Sequence, residues 1–335
     1  RYKIKNPILF VSAAILVISA IFIGNSAYES GNISGATLGF QSIAGEDSTL
    51  VALLPMIIGL MAGALLLSGS YQFIEKTLIT LVSIIGTVFL VSAILLKPDF
   101  GEVLSGMFVP SIPKDSGLLI VGLIGTTVVP YNLFLHASST KEKWKNSTDS
   151  ANSGTDTIIS VVFGGLITMA ILITAAAVLN QTGETEITPS NLGSQLEPLL
   201  GEWSNGFLAI GFLAAGLSSA ITAPLAASYA VSELLNWKRG MKGLRFKLVW
   251  FFVIICGVIF ASIPDWKPTS IILFAQVANG ILLPVIAIFL LIIMNDKELL
   301  GDARNRLIHN IFGLLVLIVT IGLAVKGIGK AFELF

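Results

Sequence analysis

The segment Gly122-Leu123-Ile124-Gly125-Thr126-Thr127-Val128-Val129-Pro130-Tyr131-Asn132-Leu133-Phe134-Leu135-His136 is apolar enough to lie in a bilayer, yet it carries a proline near its middle. Pro130 has no N–H to donate, and in a helix its ring collides with the carbonyl four residues back, that of Thr126. Gly125 lowers the cost of a break beside it. Carbonyls freed near Thr126 and Thr127 cannot face hydrocarbon, so they must be buried in protein, face a wet cavity or hold an ion. Secondary transporters build their ion sites from helices interrupted at mid-membrane. The alternative is a plain proline kink whose carbonyls are satisfied by a neighbouring hydroxyl or water.

The rest of the chain suits a membrane setting. Its 335 residues are 54% hydrophobic and 12% charged, with 32 glycines and a mean hydropathy of +0.88. Soluble domains are about 25% charged, so a disordered chain, a basic nucleic-acid binder and an ordinary cytoplasmic enzyme are excluded. A helix needs about 20 apolar residues to cross a bilayer. Such windows lie near 7–26, 50–69, 76–97, 117–139 (broken), 157–180, 205–235, 247–264, 270–293 and 308–330. They define an all-α polytopic membrane protein of nine transmembrane helices, with residues 1–335 forming one transmembrane domain. The runs are continuously apolar, whereas barrel strands alternate over about ten residues.

Assigning the connections alternately to two sides places fifteen Lys and Arg on one side and five on the other. The positive-inside rule makes the first set cytoplasmic, so the N-terminal end of the chain is expected inside and the C-terminal end outside. The longest connection is about 25 residues, so function is expected within the membrane. Cys256, the single cysteine, lies in an apolar run and reads as a small buried hydrophobe.

Polar residues interrupt two further windows. Asn25, Glu29 and Asn32 are spaced i, i+4, i+7 and share one helical face beyond the first apolar run. An acid at bilayer depth costs about 2.5–3.5 kcal/mol on insertion scales, so it faces a cavity or a partner unless it reaches the headgroups. Gln276 and Asn279 share a face ahead of Pro284; interhelical hydrogen bonding explains them equally well. Three polar faces on three helices suggest one shared site. His136 has no zinc-ligand spacing around it and reads either as a hydrogen-bonded helix-end histidine or as a proton carrier. Gly59 and Gly63, and the run Ala214 to Ser219, read as surfaces for close helix packing.

Together these residues resemble the Nramp family of divalent-metal transporters, which have the LeuT-like inverted-repeat architecture. The resemblance runs in order through Glu29 to Gly39, Gly106-Met107-Phe108-Val109-Pro110-Ser111-Ile112-Pro113, the segment around Pro130, Ala214 to Ser219, Gln276 to Pro284, and Leu300-Gly301-Asp302. Family members usually have eleven or more helices. The resemblance therefore implies a fragment lacking the first two, including the Asp-Pro-Gly-Asn motif that supplies half of the metal site. It also implies that the Thr126 carbonyl ligates the ion and that Gln276 joins on occlusion, with Tyr131 and Asn279 nearby. Val129 stands where most members place a metal-binding Met. Tyr131 replaces a His, His136 matches a His that is retained, Glu29 matches an acid of the proton route, and Asn32 replaces another acid.

A thioether suits transition metals, whereas Mg²⁺ takes oxygen and keeps its waters. Val129 removes the only soft donor, so the pattern resembles the Nramp-related magnesium transporters. Asn32 and Tyr131 remove two proton-handling candidates, which points to weak or no proton coupling. Membrane potential alone is worth about 4.6 kcal/mol for a divalent ion at 100 mV, roughly 10³-fold accumulation. The expectation is therefore a secondary importer of divalent cations, with Mg²⁺ preferred. A proton-coupled Mn²⁺/Fe²⁺ symporter is the alternative, and an amino-acid or organic-solute carrier of the same fold a further one. No enzymatic activity, cofactor, nucleic acid or obligate protein partner is expected; the partners are the metal ion as substrate and the lipid bilayer. The compact loops suggest a bacterial plasma membrane.

Overall fold

The computed structural model describes residues 7–44, 49–68, 71–109, 111, 116–127, 136–137, 140, 150–182, 192–237, 243–263 and 266–331. Among these residues there is no strand. The long elements are α1 (Pro7–Ala44), α2 (Thr49–Ser68), α3 (Tyr71–Leu95), α4 (Phe100–Phe108), α5 (Gly117–Thr127), α6 (Ser150–Thr182), α7 (Ser204–Leu234), α8 (Leu244–Ala261), α9 (Pro268–Met294) and α10 (Leu307–Ala331). Val129, Pro130 and Tyr131 and the Asn279 side chain lie outside the described residues.

The first apolar window stops at residue 26, but α1 continues to Ala44. At 1.5 Å per residue its 38 residues measure about 57 Å, nearly twice the ~30 Å hydrocarbon thickness. The extension is polar, and protein rather than lipid covers it. Asn25, Ser26, Glu29, Ser30, Asn32, Ser34 and Thr37 are all buried, because α1 runs along α7, α8 and α9. Ile33 and Ala36 of α1 join Ile58, Ala214, Leu217, Ile221, Phe246 and Trp250 in the main core.

Small residues make these approaches possible. A Cβ on Gly216 of α7 would fall 2.7 Å from the backbone N of Ala36, and one on Gly39 would fall 2.8 Å from the Ala209 carbonyl oxygen. Gly59 of α2 lies against Val258 and Ile254 of α8, and Gly63 faces Trp250, so both of the small-residue surfaces read from the sequence are packing surfaces. The paired positions also give directions. Phe22 meets Phe252 and Glu29 meets Gly257, so α1 and α8 run parallel. Gly39 meets Ala209 while Ala36 meets Gly216, so α7 runs antiparallel to α1. α2 is antiparallel to α8 by the same reasoning.

The exterior is apolar. α6 exposes Ile158, Ile159, Val161, Val162 and Phe163, and α10 exposes Ile308, Ile311, Phe312 and Leu315. A polar interior stripe inside an apolar outer surface suits lipid rather than water. Among the described residues, four helical stretches are long and apolar enough to cross a membrane: Leu50–Leu67, Ser153–Leu179, Glu197–Leu234 and Leu244–Ala261. Two bent pairs would raise the number to six: Ile79–Leu95 with Phe100–Phe108, bent by 117°, and Lys297–Ala303 with Leu307–Gly322, bent by 119°. At the second bend Asn295 and Asn310 exchange amide hydrogen bonds of 2.8 and 2.7 Å, tying the end of α9 to the start of α10.

The α1–α7 approach leaves no room at Gly216, so Gly216→Ala must push two backbones apart at a cost of about 1–3 kcal/mol. A Cβ on Gly164 of α6 meets nothing within 4 Å, so Gly164→Ala is the matched control. Thermal unfolding of the detergent-solubilised protein should show a lowered midpoint for the first variant only.

Candidate metal site and buried carboxylate

α5 reaches α9 through Gly122. A Cβ there would fall 3.0 Å from Leu273 Cδ1, 3.7 Å from Gln276 Cβ and 3.8 Å from Val277 Cγ2, so the bare glycine lets α5 lie beside Gln276. Thr126 is one turn further along the same helix, about 6 Å by helical rise, and its side chain is exposed. Gln276 is half-buried, and its Oε1 is enclosed without a hydrogen-bond partner among the described residues. A buried carbonyl oxygen left unpaired costs about 1–3 kcal/mol, a cost that a ligand at this oxygen would offset. Among the described residues no three His, Cys, Asp or Glu side chains gather as a metal cluster. What α5 and α9 offer a cation here is uncharged oxygen, a hard donor type.

The second polar feature sits on the other side of α9. α9 meets α1 at Ala275 and Ile272, where a Cβ on Gly31 would fall 3.1 Å from Ala275 Cβ. Glu29, two residues before Gly31, turns instead toward α8 and fills the space that a side chain on Gly257 would need. Glu29 is completely buried. Asn32 Nδ2 donates to Glu29 Oε2 at 3.2 Å, while Glu29 Oε1 has no hydrogen-bond partner among the described residues. One turn earlier Asn25 Nδ2 donates to the Ile21 carbonyl at 2.8 Å. The i, i+4, i+7 face read from the sequence is therefore a real buried stripe.

The structure does not gather all the sequence-derived residues into one place. Among the described residues Gln276 faces α5 and Glu29 faces α8, while Val129, Tyr131 and the Asn279 side chain, which the shared site would also include, lie outside them. His136 is exposed, and its Nε2 lies 3.4 Å from Thr157 Oγ1 of α6; α6 packs chiefly on α3. Sequence reasoning missed Gly122 and Gly257, the glycines that make room for Gln276 and Glu29. The signal was present in each case as a glycine inside an apolar helical run.

A helical bundle with an apolar exterior, a buried polar stripe and an oxygen-lined helix contact is the architecture of a polytopic membrane transporter. The comparisons with known proteins give its kind. The chain belongs to the Nramp family, matching "Natural resistance-associated macrophage protein-like" over residues 3–330, and so has the LeuT-type transporter fold. It is 26% identical over 296 residues to the divalent metal cation transporter MntH of Erwinia tasmaniensis, covering 86% of this chain and 70% of that one. The protein of the same name from Yersinia enterocolitica is 27% identical over 304 residues, with the same coverage. That of Pectobacterium carotovorum is 26% identical over 302 residues, 86% and 69% of the two chains. Members of the family are integral membrane transporters of divalent metal ions.

Glu29→Gln keeps the volume and an oxygen for Asn32 Nδ2, so its folding should match the wild type. Glu29→Ala empties the α1–α8 contact and strands the Asn32 amide, at a cost of about 2–4 kcal/mol. Unfolding midpoints of the two variants should separate accordingly. Equal midpoints would show that the carboxamide contact contributes nothing.

Proposed function

We propose that this protein moves a divalent metal cation past the α5–α9 contact, with the Thr126 carbonyl and Gln276 Oε1 as oxygen donors. The observation that carries this reading is the enclosed, unpartnered Gln276 Oε1 held against the helix that carries Thr126. Val129, Tyr131 and Asn279 would complete the lining around the ion. Glu29, Asn32 and His136 belong to a separate polar route for protons. The nine apolar windows would be the membrane crossings, with the N-terminal end cytoplasmic and the C-terminal end outside, in a bacterial plasma membrane. The alternating helix directions of α1, α2, α7 and α8 support that order.

For the ion, proton-coupled import of Mn²⁺ or Fe²⁺ is the better reading. The comparisons support divalent metal cations as a class and lend nothing to the magnesium preference expected from Val129; the transition-metal alternative accords better with the family and with the relatives' names. A fully buried carboxylate with one amide partner also suits proton handling. The Mg²⁺ reading retains one observation, the lack of sulfur at position 129. The solute-carrier alternative receives no support from the family.

Uptake by the full-length protein in proteoliposomes separates these readings. Mn²⁺ entry should acidify the lumen, and Gln276→Ala should raise the KM for the metal about tenfold or more, the worth of one hydrogen-bond-strength contact to an ion. Mg²⁺ uptake without proton movement, and no Mn²⁺ uptake, would reject the proton-coupled reading in favour of the magnesium one. Val129→Met should change the metal selectivity little on the proton-coupled reading, whereas a sharpened preference for transition metals over Mg²⁺ would favour the magnesium reading.

A further inference from the structure

Away from the α5–α9 contact, α1, α8 and α9 enclose an open groove of about 960 Å³. Its walls are aromatic and aliphatic. Phe22 and Phe252 meet edge to face with ring centroids 5.3 Å apart, and Phe260 and Phe274 continue the apolar surface. Much of it is uncovered: Phe252 is 50% exposed and Phe274 59% exposed. Cys256, which the sequence suggested was buried, is only half-buried and lines the groove. Arg245 is the one charged residue among the described lining residues.

The long axis and the ends carry the inference. Arg245 and Phe260 lie fifteen residues apart on α8, about 22 Å by helical rise, which exceeds one leaflet of a ~30 Å hydrocarbon layer. Trp237 lies near the Arg245 end and Trp266 near the Phe260 end, and tryptophans gather where a membrane protein meets the two interfaces. The connection into α8 reads Lys238-Arg239-Gly240-Met241-Lys242-Gly243-Leu244-Arg245, with four basic residues in eight. Such a cluster at a helix entry attracts anionic headgroups at roughly 1 kcal/mol per basic residue. An apolar channel one acyl chain long, closed at one end by a guanidinium that can take phosphate in bidentate fashion, is complementary to a phospholipid.

We propose that this groove is a binding site for one anionic phospholipid, with its phosphate on Arg245 and its acyl chains along Phe252, Phe260 and Phe274. The groove floor includes Ser26 and Ser30 of α1, on either side of Glu29, and Ile271 of α9, beside the Ile272 contact. A lipid seated there lies against both helices and stiffens their contact. The proposal needs only that the bundle sits in a bilayer, so it stands or falls independently of the ion.

Cys256 supplies the probe, with any cysteine elsewhere in the full-length protein replaced by serine. The full-length protein, labelled at Cys256 with a small fluorophore and placed in nanodiscs, is titrated with phosphatidylglycerol or phosphatidylcholine brominated on the acyl chains. Half-maximal quenching should need about tenfold less brominated phosphatidylglycerol, the worth of one charge-assisted phosphate contact. Arg245→Gln should abolish the preference, whereas Arg245→Lys should keep part of it and confirms that the site still folds. Equal quenching by both lipids in the wild type would reduce the groove to ordinary lipid-facing surface. No quenching by either would show that another protein segment fills it. Both results overturn the proposal.

Discussion

The bundle depends on the close approach of α1 to α7, α8 and α9. Between helices in lipid there is no hydrophobic gain, because acyl chains are as apolar as leucine; backbones must come near enough for dispersion and polar contacts to hold them. Gly31, Gly39, Gly216 and Gly257 provide that nearness. Their effect goes beyond adhesion. By bringing protein around the middle of α1, they shelter a row of asparagines, serines and one glutamate that lipid would not accept.

That dependence explains which features could be read in the sequence. The polar face of α1 was legible because helical periodicity alone places Asn25, Glu29 and Asn32 together, and the Asn32–Glu29 hydrogen bond lies within the same helix. The end of α1 was not legible, because hydropathy registers what lipid would accept, whereas most of residues 28–39 are buried against other helices. Gln276 was recognised as an unusual residue, but its neighbour was not. Pairing it with Gly122 depends on which helices pack together, and no local pattern encodes that. The different directions of Gln276 and Glu29 were hidden for the same reason: faces read one helix at a time carry no information about their relative rotation around α9.

The chemistry of the two polar regions differs in kind. On the proposed reading the donors near Gln276 and Thr126 are neutral oxygens, which would bind a cation through dipoles and leave it free to move on. At Glu29 the donor is a carboxyl group with, among the described residues, a single amide partner and one unpaired oxygen, packed against α8. A carboxyl so enclosed is a poor place for a divalent ion needing several ligands. It suits a proton, which needs one.

On the proposed reading this separation restricts how ion and proton can influence each other. The two side chains face different helices, Glu29 toward α8 and Gln276 toward α5. What they share is the line where Gly31 of α1 meets Ala275 of α9. A change of charge at Glu29 alters what α1 and α8 gain by staying together, and an ion at Gln276 alters the same balance for α5 and α9. Each would act on the other only by shifting the α1–α9 contact between two arrangements, which is what energetic coupling between sites requires. A contact in which Gly31 and Gly35 of α1 lie against Ala275 and Ile272 of α9 presents small residues on the α1 side, which suits such sliding.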